Sequence, residues 1–370
     1  METRRPELPT LEIQGILNEE CGWKVYQMDR LDSFQDSNYF VSYGISVGSH
    51  LKGDLQAMVR VIHRHLFKES EAETERKVME QLHRDGFICT TCKPYSNKSW
   101  FYTTGDDQCV IRLFSFIPGI PLRKCVHVID SVCMLKELGN FVGQLHNSLA
   151  NISKDIVIPP RANDPWVLQN VSCLRTLLTN IKKNFSEEKV STILDIIDKF
   201  EKQVMTSFYE LRKGVIHNDI HDLNIIVNYK DGKLHPIYPS CCGEVNYAVK
   251  AKYGLIDFND IVLSPYLFEV AMAIRDLMTD VKDIGFLEIG GHFLAGYQGI
   301  CPISEPELRL LPYCIQAALC QYIVVGESEF QEQPNNEYTR LGADDAWTVL
   351  RKLQYITNEE MLGTWKRLLM

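Results

Sequence analysis

A two-lobed α+β fold is predicted for this chain of 370 residues: a small sheet-rich N-lobe, then a large helical C-lobe that carries a catalytic hairpin. Three observations predict it. Strand-like alternation around one amphipathic helix fills residues 31–117. Helical periodicity of about 3.6 dominates from residue 128 onward. Within that helical part lie short apolar runs at 214–216, 224–228 and 254–258, each starting or ending next to an acid or an amide. A chain of this length buries a large core and divides readily into two lobes. The division is expected between residues 1–115 and 116–370.

The elements follow in order. Residues 11–22 read as a helix with Leu11, Ile13, Ile16 and Leu17 on one broad apolar side. Strands are expected at 31–34, 39–45 and 56–62, with Asp36-Ser37-Asn38 as a tight turn between the first two and 48–53 as a second turn. Residues 69–84 make a charged amphipathic helix, closed by Gly86 at the position that favours a left-handed cap. A strand at 110–117 is broken by Pro118-Gly119. Helices are expected at 128–149, 168–185, 187–210 and through most of the chain after Pro265. Lys230-Asp231-Gly232 marks a turn in the polar stretch 228–253.

Composition narrows the partners. With 39 basic and 48 acidic residues the net charge is -9, which argues against a nucleic-acid-binding face and suits a small cationic substrate. The polar start has no apolar core of a secretory signal. The least polar late stretch, 314–325, is interrupted by Gln316 and Gln321 and is too short to cross a bilayer. The expectation is a soluble, cytoplasmic protein with no membrane association and no obligate protein partner. The twelve cysteines are scattered and read as free thiols. Cys89 and Cys92 have metal-like spacing, and Cys241 and Cys242 are adjacent, but no second CxxC completes a zinc site.

The chemistry is concentrated in His217-Asn218-Asp219-Ile220-His221-Asp222-Leu223-Asn224, followed by Ile256-Asp257-Phe258. An aspartate, an asparagine and a second aspartate in this order suit phosphoryl transfer. Asp219 would orient a substrate hydroxyl, while Asn224 and Asp257 would hold Mg²⁺ on a nucleotide. Such a site also needs a cation on the phosphates and an acid to hold it. Arg60 in the 56–62 strand and Glu75 in the following helix are the candidates. Ser37 and Asn38, in the expected turn, would cover the phosphates. Asp260 is placed to meet an ammonium on the acceptor, with Asp276 a further candidate, and His221 and Asp222 read as groups that hold the loop. No Ala-Pro-Glu segment follows Asp257, which argues against a protein kinase.

These residues resemble those of the aminoglycoside/choline phosphotransferase-like kinases: His217, Asp219 and Asn224, then Ile256-Asp257-Phe258-Asn259-Asp260. Within that superfamily the chain is most similar to the hydroxylysine kinase family. The similarity lies in Ile111-Arg112-Leu113-Phe114-Ser115-Phe116-Ile117-Pro118-Gly119, in Phe268-Glu269-Val270-Ala271 and in Gly290-Gly291-His292-Phe293-Leu294-Ala295-Gly296-Tyr297. It extends from residue 31 to the C-terminus. It implies a protein-kinase-like fold, with the nucleotide base against Ser115, Phe116 and Ile117. The implied reaction is Mg²⁺-dependent transfer of the γ-phosphate of GTP (or ATP) to the side-chain hydroxyl of 5-hydroxy-L-lysine. Choline, ethanolamine or an aminoglycoside remain alternative acceptors. The chain departs from the family pattern at Arg60, where lysine is usual, and at Asn218 and Asn259, where glycine is usual. Asparagine is the next most tolerant residue where glycine takes positive φ. Arg60 leaves open a nucleotide-binding pseudokinase without transfer.

Overall fold

The computed structural model describes residues 5–33, 35–47, 50–106, 108–152, 156–238, 248–336, 339 and 342–370. Phe34, Cys241, Cys242 and the start of the expected 48–53 turn lie outside the described residues. The N-terminal part runs α1 (Thr10–Cys21), β1 (Trp23–Leu31), β2 (Ser37–Val47), β3 (His50–His63), α2 (Glu69–Arg84), β4 (Ile88–Cys89), β5 (Cys92–Lys93), β6 (Tyr102–Thr103) and β7 (Cys109–Ser115). A six-stranded sheet has the order β1-β2-β3-β7-β5, with β6 also on β7, and every pairing in it is antiparallel.

Two expectations at its edge are corrected. The first strand ends at Leu31 instead of starting there. It is an edge strand with mostly exposed side chains, so it lacks the alternation that marks a half-buried strand. Ser37 and Asn38 open β2 instead of forming a turn. The wholly buried Ser37 hydroxyl donates to the Pro6 carbonyl at 2.7 Å and accepts from Arg30 at 3.0 Å, so a turn-forming residue is satisfied inside a strand.

The period-2 alternation of strands sorts the sheet into two faces. Tyr39, Val41, Tyr43, Val59, Val61, Ile111 and Leu113 pack with Ile13, Ile16 and Leu17 of α1. The intervening positions face the other way, where α2 and the rest of the molecule lie. Register aligns Asn38, Arg60 and Arg112 across β2, β3 and β7 in one row on that face.

The rest of the chain is β8 (Ile120–Pro121), α3 (Ser131–Ala150), α4 (Leu174–Ile181), α5 (Glu187–Gln203), β9 (Lys213–Ile216), β10 (Ile225–Lys230), β11 (Lys233–His235), α6 (Ala248–Lys252), β12 (Tyr253–Leu255), β13 (Val262–Pro265), α7 (Tyr266–Asp280), α8 (Phe286–Gln298), α9 (Glu305–Glu332), α10 (Ala343–Leu353) and α11 (Asn358–Leu369). The expected hairpin is β10–β12, with β8 and β11 added on β10. Asp231 and Gly232 both take positive φ in the turn between β10 and β11, as a two-residue hairpin loop requires. β4 pairs in parallel with β12, so the segment after α2 is stitched to the hairpin before returning to the first sheet as β5.

α7 is buried at every position from Leu267 to Thr279. A helix enclosed on all sides must pair each of its charges, and Glu269, Arg275 and Asp276 are all paired. α9 extends to 28 residues, well beyond the 314–325 stretch. By length and composition it could cross a membrane, but most of its apolar part is buried in this fold.

Gly296 of α8 is explained by backbone contact. A Cβ at Gly296 would sit 1.8 Å from the Lys136 carbonyl oxygen, and one at Gly139 of α3 would sit 1.9 Å from that of Phe293. Neither neighbour is a side chain that can move aside. Gly296→Ala is therefore expected to destabilise the protein by about 2 kcal/mol or more, as overpacking of a closed core does. A lower urea midpoint at unchanged m-value checks this; an unchanged midpoint would exclude close approach of α3 and α8.

Candidate active site

β9 delivers the 217–224 loop, and its first anchor is buried. The Asn218 N–H donates to Glu269 Oε1 at 2.6 Å. The other Glu269 oxygen meets His146 Nε2 at 2.6 Å, and His146 Nδ1 meets the Tyr297 hydroxyl at 2.7 Å. Asn218 has φ 67°, so asparagine does adopt the backbone that glycine would take there. Asn259 lies in a short 3-10 turn, 258–260, and is absent from the positive-φ positions; Asp257 has φ 63° instead. His217 Nε2 donates to the Ile256 carbonyl at 3.1 Å, which binds the two sequence motifs to each other.

Asp219 and Asn224 meet directly, and the Ile256 N–H on the Asn224 backbone carbonyl, at 3.1 Å, brings Asp257 alongside. The Asn224 amide nitrogen donates to the Asp219 carbonyl at 3.0 Å and to its Oδ2 at 2.6 Å. This leaves the Asn224 side-chain carbonyl oxygen for a cation. Burial raises the Asp219 pKa, but His221, by its charge and its hydrogen bond, together with the Arg275 guanidinium, outweighs it and holds the carboxyl below its ordinary value. Burial opposes the His221 charge, yet Asp219 at 3.4 Å brings its pKa to about 10. Asp222 is fully inside and accepts both contacts of the Arg123 Nε, at 2.9 and 3.0 Å. His221 and Asp222 thus hold the loop, as read from the sequence.

The cation side is rearranged. Arg60 Nη2 donates to Asp257 Oδ1 at 3.0 Å, and its Nε lies 3.6 Å from Asp36 Oδ2. It is 6% exposed, and its Nε and Nη1 have no hydrogen-bond partner among the described residues. Burial opposes its charge, but Asp257, Asp36 and Glu75 together keep it firmly protonated. The expected direct contact of Glu75 with Arg60 is corrected: Glu75 pairs with Arg112, the next residue in the cross-strand row. Both guanidinium groups lie over the Phe114 ring, at 5.2 and 4.8 Å. Asn38 shares the row, with its Oδ1 buried and without a hydrogen-bond partner among the described residues. Ser37 does not, since its hydroxyl is committed to Arg30 and Pro6.

Ser115 ends β7, and its hydroxyl accepts from the Thr91 N–H at 2.9 Å. Phe116 packs edge-on to Phe40 at 4.9 Å. Ile117 is buried with Ile226 and Ile237, against Ile88 and Ile256. Phe116 and Ile117 are the apolar members of this segment, and Ile117 packs onto the hairpin. Asp260 stands at the same mouth as Asp219 and Asp257. Burial first, then those two carboxylates, push its pKa well above the ordinary value, with Arg161 at 3.6 Å opposing. Asp276 is not in the mouth: both its oxygens are forked by Arg275, at 2.9 and 2.7 Å, behind the loop.

Sequence reading missed Arg161, Arg123 and His146. None sits in a motif, and Arg161 lies in an aperiodic proline-rich stretch, 159–165. The oxygens of Asn224 and Asp257 fit a hard ion such as Mg²⁺, which takes few protein ligands and completes its shell from phosphate and water. Cys89 and Cys92 do not fit zinc: burial pushes their thiols up to about 12 and about 11, and Cys89 Sγ donates to the Met79 carbonyl at 3.4 Å.

A sheet-rich lobe joined to a helical one, with this hairpin between them, is the architecture of a phosphotransferase acting on an alcohol group. Residues 36–235 match the model of the phosphotransferase enzyme family, APH, and the chain belongs to that family. It is 24% identical to the hydroxylysine kinase of Mus musculus over 94% of this chain and 90% of that protein. The Xenopus laevis hydroxylysine kinase is likewise 24% identical, over 99% and 95%. Among solved structures, a microcompartment-associated aminopropanol kinase superposes with TM-score 0.66 at 13% identity, covering 97% of this chain and 100% of that one. The protein is a small-molecule kinase.

One pH effect follows from the loop's support. Burial and the neighbouring Asp222 charge raise Asp280 to about 7, against the pull of Arg123. A carboxyl raised in the folded state binds extra protons there. Its contribution is therefore present at low pH and is lost as pH rises from about 4 through about 7. Asp280→Asn should leave stability at pH 4 unchanged and raise it by about 1–3 kcal/mol at pH 8. Equal denaturation midpoints for the two proteins at pH 8 would rule out this repulsion.

Proposed function

We propose that the protein transfers the γ-phosphate of GTP to the side-chain hydroxyl of 5-hydroxy-L-lysine. The single observation that carries the kinase mechanism is the convergence of Asp219, Asn224, Asp257 and Arg60 on one cleft. The acceptor and the nucleotide are supported by similarity along nearly the whole chain to hydroxylysine kinases and by the segments quoted above.

In this reading residues 1–115 form the nucleotide-binding lobe and residues 116–370 the catalytic and acceptor-binding lobe. The base lies against Ser115, Phe116 and Ile117. The orphaned Nε and Nη1 of Arg60 are donors available to a phosphate, and Asn38 flanks them. Glu75 pairs with Arg112 and supports the Arg60 charge by its own field. Asn224 and Asp257 hold Mg²⁺, which neutralises charge on the phosphates when bound. Asp219 receives the acceptor hydroxyl. Its lowered pKa makes it a weak base, so its main task is to orient the oxygen for in-line attack and to take the proton late, which suits a loose phosphoryl transfer. Asp260 meets the ammonium beside the hydroxyl. Ten cysteines are free thiols among the described residues, in keeping with a reducing, cytoplasmic setting.

The test is Mg²⁺-dependent transfer from GTP and from ATP to 5-hydroxy-L-lysine, with lysine as the hydroxyl-free control and choline and ethanolamine as competitors. Asp219→Asn is expected to lower turnover by at least about 10²-fold with nucleotide affinity retained. Near-normal turnover in that variant would refute its role. Nucleotide binding without transfer to any acceptor would instead favour a pseudokinase, with Arg60 as its cause.

A further inference from the structure

We propose that Arg161 reads a carboxylate on the acceptor, so that the acceptor class is a zwitterionic hydroxy amino acid and not a simple amino alcohol. The proposal rests on the small-molecule kinase reading and adds a specificity residue to it.

Arg161 stands where the acceptor must enter. Its guanidinium lies 3.6 Å from Asp260 and 3.5 Å from Asp164, and its Nε donates to the Ile261 carbonyl at 3.2 Å. The loop that carries it is pinned from several sides. The Asn218 amide donates to the Trp166 carbonyl at 3.4 Å, and Gln321 donates to the Pro165 carbonyl at 2.8 Å. Asn170 donates to the carbonyl of Arg161 itself at 2.8 Å. Through Trp166, the loop that carries Arg161 is therefore tied to Asn218, the residue that precedes Asp219.

Its pairing is unlike that of the neighbouring arginines. Arg275 forks Asp276 at 2.7 and 2.9 Å, and Arg123 meets Asp222 at 2.9 and 3.0 Å. These are close, charge-assisted contacts. Arg161 approaches two carboxylates through one nitrogen, Nη1, with a single long hydrogen bond to Asp164 at 3.5 Å and a looser approach to Asp260 at 3.6 Å. A guanidinium kept only to neutralise Asp260 would fork onto it. One that stays at 3.5–3.6 Å from both keeps its planar donor edge for a third carboxylate. A choline or ethanolamine acceptor brings only positive charge, which Arg161 would repel. A hydroxy amino acid brings an ammonium for Asp260 and an anion for Arg161.

The experiment compares 5-hydroxy-L-lysine with its decarboxylated counterpart, 1,5-diaminopentan-2-ol, on the full-length protein at saturating nucleotide and Mg²⁺. The wild type should favour hydroxylysine in kcat/KM by about 10- to 100-fold, the range for one charged hydrogen-bonded contact. In Arg161→Gln that ratio should fall toward one through KM, while Arg161→Lys should recover part of it. KM for the nucleotide, measured in each variant, reports a collapse of the loop. Equal use of both acceptors by the wild type would overturn the proposal, as would an equal loss on both in Arg161→Gln. If hydroxylysine is refused but another hydroxy amino acid, such as homoserine, is used with the same Arg161 dependence, the hydroxylysine assignment falls and the Arg161 proposal stands. Transfer only to choline or ethanolamine, indifferent to Arg161→Gln, would overturn Arg161 and keep the kinase. Absence of transfer to every acceptor would overturn both.

Discussion

A carboxylate sealed from water, Glu269, holds the loop on which the site is built. An ionised group in that position is tolerated only when it is paired and hydrogen-bonded, and its partners are the Asn218 N–H and His146. His146 comes from α3 and is held in turn by Tyr297 of α8, so three helices meet at one backbone N–H. Gly139 and Gly296 let α3 and α8 approach closely enough for this. Removing any member leaves a buried polar group without its partner, which is why the position of Asp219 depends on residues far from the cleft. α7 serves the loop a second time through Arg275 and Asp276, whose charges act on His221 and Asp219 from behind.

The sheet supplies the other half of the cleft by a simpler rule. Alternate residues of a strand face opposite sides, so once Val59 and Val61 are buried under α1, Arg60 must face the hairpin. Its ion pair with Asp257 links the sheet to the hairpin, and β4 links them again through β12. Arg60 is more deeply buried than an exposed phosphate clamp would be. Its charge is sustained by a cluster of carboxylates, Asp257, Asp36 and Glu75. Asp36 carries the opposite burden, raised to about 6 chiefly by its own burial.

Around the mouth the balance of charge is acidic. Asp164, Asp219 and Asp257 each disfavour ionisation of Asp260, so the cleft is suited to receive cations, both a metal and an ammonium. Arg161 is the exception in that setting. The fold spends several hydrogen bonds on keeping its loop in place.

The readable parts of the chain were those whose geometry is local. Alternation predicted β2, β3 and β7, an apolar stripe with Gly86 predicted α2 to its last residue, and the spacing within 217–224 brings Asn224 back onto Asp219 because a tight loop followed by a strand leaves little freedom. Asn218 in a left-handed backbone was expected from the glycine usual at that place in the family pattern, whereas Asn259, expected on the same ground, does not take positive φ. What the sequence alone could not decide was every contact set by register or by packing between distant segments. Glu75 faces Arg112 instead of Arg60 because β7 lies beside β3 on the α2 side. Ser37 is lost to the N-terminal segment because the Pro6 carbonyl reaches it. Arg161 enters the mouth only because Asn218 and Gln321 draw in a loop that has no periodicity of its own. Covalent spacing governs neighbours within a few residues; beyond that range, which side chains meet is decided by how strands pair and helices pack.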